Sequence, residues 1–180
     1  MKITLISGTN RPGSQTRKIT AELAAIYAAL GQPVEILDLA ELPLELFLPA
    51  AYEKKPAAFA HFNDTILASD GVHLVTPEYN GGAPGVLKYF IDMLEFPAAF
   101  QHRPVAFTGL AAGAWGALRP VEQLAGIFSY RNAHLYPERV FLPGIGQQIS
   151  PEGRLTNEDA LKRLRAQATG FVAFVGKLRS

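Results

Sequence analysis

Cysteine is absent from this 180-residue chain, which excludes a disulfide framework, a thiolate metal site and a thiol nucleophile. That absence suits a reducing compartment, and the cytoplasm is the expected location. Charge is scarce as well: 18% of residues are charged, against about 25% in ordinary soluble domains. Neither sign is in excess, since 17 Lys and Arg face 16 Asp and Glu for a formal net charge of +1. A nucleic-acid binder concentrates positive charge to displace counterions from phosphates, so no nucleic-acid partner is expected. Long apolar runs are missing too. The longest uncharged span, Pro104 to Leu118, has 15 residues and includes Gly109, Gly113 and Gly116, whereas a membrane helix needs about 20 apolar residues. The apolar stretch within Met1–Ser7 is too short for a signal-peptide core. His61, His73, His102 and His134 lack metal-ligand spacing. No Gly-x-Ser-x-Gly elbow occurs, which removes one hydrolase class.

What remains is apolar and well punctuated: 48% hydrophobic residues, with 16 Gly and 13 Pro. Short continuous apolar runs at Ile3–Ser7, Val34–Asp38, Val72–Thr76 and Val105–Gly109 read as strands buried on both faces of a parallel sheet. A split fifth strand is expected around His134–Tyr136 and Val140–Leu142. Helical spacing separates them at Ser14–Leu30, Ala57–Ala68, Pro84–Glu95 and Leu118–Tyr130, and again at Asn157–Arg179. Thr156 with Asp159 resembles a capping box for the last of these. Five β-α units predict a doubly wound α/β sandwich, with residues 1–180 as a single domain. His73, within a strand, is expected to be a hydrogen-bonded core residue, and Lys88 with Asp92 a surface helix pair. The stretch from Leu39 to Pro56 is unusually apolar for a connection. It either folds over the domain or packs on a partner subunit.

Two loops carry chemistry. The first, Ser7-Gly-Thr-Asn-Arg-Pro-Gly-Ser-Gln-Thr-Arg17, leaves a strand and opens a helix, where free backbone N–H groups and the helix dipole favour an anion. Thr9, Ser14 and Thr16 add hydroxyls, Arg11 adds a cation, and no carboxylate occurs before Glu22. Gly8 and Gly13 have Walker A spacing, but Ser14 stands where its Lys should be and Gln15 where its Ser/Thr should be. Gly-x-Gly-x-x-Gly is missing too, so Asp38 at the end of strand two reads as a turn residue. A single phosphate monoester fits better than a nucleoside triphosphate or a dinucleotide, and points to a mononucleotide such as FMN. The second loop, Thr76-Pro-Glu-Tyr-Asn-Gly-Gly-Ala-Pro-Gly85, lets backbone approach a flat ring closely.

That second loop, with Val86-Leu-Lys-Tyr-Phe-Ile-Asp92 after it, closely resembles the signature of the NAD(P)H-dependent FMN reductase family, a flavodoxin-like group. The first loop resembles the family's phosphate loop, with Thr9 for the usual Ser and Thr16 for the usual Asn. The resemblance implies a five-stranded parallel sheet in the order 2-1-3-4-5, with FMN at the carboxyl ends of the strands. It also implies that Thr9, Arg11, Ser14 and Thr16 hold the FMN phosphate, and that Pro77, Glu78, Tyr79, Asn80 and Gly81 border the isoalloxazine. The third loop, Thr108 to Ala117, is similar to a small-residue loop that passes the flavin in relatives, bringing in Gly109, Gly113 and Trp115. Trp115 either covers the ring or nicotinamide pocket or props up its own loop. The implied activity is ping-pong hydride transfer from NADPH or NADH through FMN, with no obligatory catalytic side chain. Candidate acceptors are a quinone, an azo dye, free flavin or a metal oxyanion. A homodimer or homotetramer is expected. The alternatives are a flavodoxin-type electron carrier, disfavoured by the +1 charge, and a flavin-binding regulatory protein.

Overall fold

In the computed structural model, which describes residues 1–179, the first strand, β1 (Ile3–Ser7), is buried along its whole length. It lies between β2 (Val34–Asp38) and β3 (Gly71–Pro77), and β4 (Pro104–Leu110) follows β3. Two short strands, β5 (His134–Leu135) and β6 (Val140–Leu142), pair with successive parts of β4. Every pairing is parallel and the order is β2-β1-β3-β4-β5, as expected. The split in the last strand has a local cause. Tyr136 N still donates to Val105 O at 2.8 Å, but Pro137 has no N–H to continue the ladder.

Because the strand order reverses at β1, helices cover both faces of the sheet. Helices α1 (Gln15–Ala29) and α5 (Glu158–Arg179) pack on one face; α2 (Ala60–Ala68), α3 (Gly85–Met93) and α4 (Leu118–Tyr130) pack on the other. The period-2 alternation of strands supplies both layers. Ile3, Leu5 and Val75 meet Leu23, Leu164 and Phe171 beneath α1 and α5. Ile6, Leu74 and Phe107 meet Leu87, Leu124 and Phe128 beneath α3 and α4. Each fully buried Leu or Phe contributes about 1.5–3 kcal/mol. Among the described residues no helix is long and apolar enough to cross a membrane.

His73 is fully buried, as expected, and belongs to a polar chain across the α1/α5 layer. Its Nδ1 lies 2.8 Å from Tyr27 Oη and its Nε2 lies 2.9 Å from Thr108 Oγ1. Thr108 in turn donates to Gln167 Oε1 at 2.8 Å, and Gln167 Nε2 donates to Phe107 O at 2.8 Å and Glu138 O at 3.0 Å. Since the Thr108 proton goes to Gln167, its oxygen accepts from Nε2–H, and Nδ1 accepts from Tyr27. The ring is therefore neutral, and burial lowers its pKa to about 3.

One expectation is corrected, and one open alternative is partly met. Thr156 does not cap α5: Asn157 Oδ1 accepts from Ala160 N at 3.0 Å, while Thr156 Oγ1 donates to Gln148 O at 3.0 Å. The Leu39–Pro56 connection contains three short 3-10 turns, Leu39–Glu41, Leu44–Phe47 and Pro49–Tyr52. Leu39, Leu42, Leu46 and Ala51 fold inward, so half of its apolar surplus is core. Leu44, Leu48 and Tyr52 stay exposed.

Candidate functional site

Strand register brings three loops to one edge. Ser7, the last residue of β1, is level with Asp38 of β2 and Val75 of β3, and Pro77 is level with Leu110 of β4. The loops after β1, β3 and β4 thus leave the sheet together, where the strand order reverses and α/β folds bind ligands. Between them lies a cavity of about 330 Å³, within the range of small-ligand clefts. Arg11 to Thr16 form one wall, Pro77 to Tyr79 another, and Leu110 to Ala112 with Ile145 the third.

The first wall is rich in unspent donors. Ser14 caps α1, its Oγ accepting from Arg17 N at 3.3 Å, which leaves its own proton free to donate. The amides of Gln15 and Thr16 open the helix and have no carbonyl one turn earlier to bond. Gln15 Oε1 and Ser7 Oγ are buried without a partner among the described residues. Arg11 makes no ion pair among them either. Arg17, by contrast, sits 3.2 Å from Asp38 Oδ2, so much of its charge is answered. Asp38 Oδ1 accepts from Ala40 N at 3.1 Å, the turn role its position suggested.

Of the twelve residues singled out from sequence, six line the cavity: Arg11, Ser14, Thr16, Pro77, Glu78 and Tyr79. Thr9 stands behind it, buried, with its hydroxyl 2.8 Å from Tyr79 Oη and accepting from Arg11 N at 3.2 Å. It ties the first loop to the second. Asn80 and Gly81 form the tip of a hairpin in which Tyr79 and Gly82 exchange two backbone bonds of 3.0 Å. Positive φ at both, 51° and 75°, is the type I′ requirement that an Asn-Gly pair meets. Gly109 is buried in β4, where a Cβ would stand 2.7 Å from Gly116 O. The absent side chain lets the third loop fold back over the strand. Gly113 and Trp115 lie on that loop's exposed part, Trp115 with 65% of its surface open.

Gln15, Ala111, Ala112 and Ile145 were not singled out. Gln15 looked like a failed Walker residue, although its place in the first helical turn was the usable signal. Ile145 had no local signal, because it arrives through the bond from its N–H to Ala111 O (3.1 Å). Two other hollows are larger, about 390 Å³ on the outer flank of α1 and about 740 Å³ between α3 and α4. Neither is lined by the second or third loop.

The family model for NADPH-dependent FMN reductase matches residues 1–147. An NADPH azoreductase from Bacillus sp. (strain OY1-2) is 28% identical over 92% of this chain and 92% of its own. A quinone reductase from Escherichia coli (strain K12) is also 28% identical, over 99% of this chain and 97% of its own. Among solved structures, a flavoenzyme NAD(P)H:(acceptor) oxidoreductase from Paracoccus denitrificans superposes with a TM-score of 0.81 at 22% identity. That match covers 98% of this chain and 97% of the other. Flavodoxin 1 from Bacillus cereus superposes with a TM-score of 0.64 at 15% identity, over 96% and 98% of the two chains. These structural likenesses establish the flavodoxin-like fold.

Proposed function

Because the chain belongs to the NADPH-dependent FMN reductase family, we propose that it passes two electrons from NAD(P)H through FMN to a small acceptor, a quinone or azo compound foremost. FMN as cofactor and NAD(P)H as donor follow from the family, and the protein is an enzyme of the FMN and quinone reductase type. The acceptor class is supported by azoreductase and quinone reductase relatives that match nearly end to end. The observation that carries the reading is the cavity where a donor-rich helix start meets the Tyr79 loop at the strand-order reversal.

The residues present fit FMN. Ser14, the first-turn amides of α1 and the unpaired Arg11 would hold the phosphate. The orphaned Gln15 side chain lines that wall, where an amide rotated to present its N–H₂ would find an acceptor. Pro77, Glu78 and Tyr79 would border the ring, with the unpaired Asn80 and Gly81 amides at the hairpin tip as further donors. Gly109 and Gly113 would keep the third loop slim beside it, with Trp115 free to cover the nicotinamide side. Thr9 positions Tyr79 and the Arg11 amide. FMN, when bound, would supply the two-electron redox chemistry that links the nicotinamide donor to the acceptor, in the ping-pong order we propose. The chain binds and orients the group, and no side chain is assigned a proton transfer.

Loading purified protein with FMN and adding NADPH with benzoquinone tests this, the expected result being acceptor-dependent loss of NADPH. Bound FMN without such turnover would sink the reductase reading and leave a flavodoxin-type carrier or flavin-binding regulator. We also propose self-association to a homodimer or homotetramer, supported by the exposed Leu44, Leu48, Tyr52, Phe96 and Tyr130. Light scattering at micromolar concentration checks it, and a monomeric mass would dispose of it.

A further inference from the structure

The backbone amides of the second loop tie it to a helix outside the cavity. Glu78 N donates to Leu110 O at 3.2 Å, while Tyr79 and Gly82 bond each other. Ala83 N donates to a side chain, Gln123 Oε1 of α4, at 3.0 Å. Among the described residues the adjacent tip amides of Asn80 and Gly81 are left without a partner, as is that of Gly85 at the start of α3. Asn80 is exposed and Gly81 half-buried, so these two adjacent free donors on a two-residue turn are open to a ligand.

The turn itself is gripped from one side. A Cβ on Gly82 would lie 3.3 Å from Gln123 Oε1, and a Cβ on Gly81 would lie 3.6 Å from Arg119 Nη1. Arg119 and Gln123 are four residues apart on α4, so they project from one helical face. Arg119 makes no ion pair among the described residues. Its exposed guanidinium lies beside the turn without a carboxylate partner among the described residues. Neither residue lines the cavity, and neither belongs to the motifs that identify the family here.

We propose that Arg119 and Gln123 are positioning residues: together they clamp the Asn80–Gly81 hairpin tip and so set where its two free amides meet the carbonyl and ring-nitrogen edge of the flavin. This rests on the FMN reading above. Gln123 supplies the essential contact, since it is the acceptor for Ala83 N; Arg119 buttresses the tip from the preceding turn. Any acceptor oxygen at position 123 should serve, whereas a methyl group should not.

The test compares Gln123→Ala and Gln123→Glu with the native chain, first as apo-protein. Losing one hydrogen bond that anchors a two-residue turn should speed amide exchange at Tyr79 and Gly82 by about fivefold in Gln123→Ala. The same variant should raise the FMN dissociation constant by about fivefold and shift the visible spectrum of the bound flavin. Gln123→Glu, which keeps an acceptor oxygen, should restore both to within about twofold. Arg119→Ala should move the same readouts in the same direction and less. Unchanged exchange at Tyr79 and Gly82 in Gln123→Ala would overturn the clamp. Faster exchange with an unchanged FMN constant would overturn its bearing on the flavin. If the native chain bound no FMN while exchange still responded as described, the clamp would stand and the flavin reading would fail.

Discussion

Two polar regions of this protein treat their hydrogen bonds in opposite ways. In the layer under α1 and α5, Tyr27, His73, Thr108 and Gln167 form a directed chain in which each donor has an acceptor. At the carboxyl edge of the sheet, among the described residues, Ser7 Oγ and Gln15 Oε1 lack partners, Arg11 makes no ion pair, and two hairpin amides are unpartnered. Both regions are built on the same strands: β3 carries His73 in its middle and opens the Tyr79 loop at its end. The contrast separates a network that stabilises the fold from one that, on the function proposed above, would meet a ligand. A satisfied buried network leaves nothing to bind with, whereas unspent donors are costly unless something occupies them.

Breaking the satisfied network should do the most damage to stability. Gln167→Leu would leave the Thr108 hydroxyl proton without its acceptor and remove the donor to two carbonyls, at about 1–3 kcal/mol for each group left unpaired. A loss of at least about 3 kcal/mol in urea unfolding is expected. A loss under about 1 kcal/mol would mean that the chain of bonds adds little.

Acid should separate the regions next. His73 is neutral in the fold, with a pKa near 3 against an ordinary 6.5, so below pH 6.5 the unfolded chain takes up a proton that the folded chain refuses. Its contribution to stability is therefore complete above about pH 6.5 and is lost progressively as pH falls toward 3. From pH 7 to 5, the stability gap between the native chain and His73→Gln should narrow by about 2 kcal/mol. Because both proteins carry the same carboxylates, their titration cancels in the difference. A gap that holds constant over that interval would show that His73 is not the titrating group.

At the ligand-ready edge the expected signature is reversed: little change in folding, a clear change in binding. Arg11→Ala should weaken FMN binding about tenfold, the worth of one charge-assisted hydrogen bond, while urea unfolding of the apo-protein moves by less than about 0.5 kcal/mol. An unchanged dissociation constant would remove Arg11 from the phosphate site.

How much of this was legible beforehand follows the same division. The strands themselves, the split in the last of them and the buried His73 were readable because hydrophobic periodicity is a local signal, whereas the strand order came through the family resemblance. The first wall of the cavity was readable at Arg11, Ser14 and Thr16 because a helix start is local too. Gln123 and Ile145 were not, since each reaches the second or third loop from more than 30 residues away. The cap of α5 was misassigned to Thr156 for a related reason. The hydroxyl that makes a capping motif attractive is claimed by Gln148 O, a partner supplied by tertiary structure.

The smallest effect belongs to a pair that lies outside both regions. Lys88 Nζ is 2.7 Å from both carboxylate oxygens of Asp92, with the two side chains 48% and 39% exposed. Exposed i,i+4 pairs contribute only about 0.3–0.5 kcal/mol, so Lys88→Ala should change apo-protein stability by no more than that, and less at high salt. The value of the measurement lies in its dependence on protein concentration. Lys88 and Asp92 line the groove between α3 and α4, beside the exposed Phe96 and Tyr130. If that groove faces water in solution, the small cost stays the same at every concentration. If a second copy covers it, the pair is desolvated and its cost on truncation rises several-fold, with a midpoint that climbs with concentration.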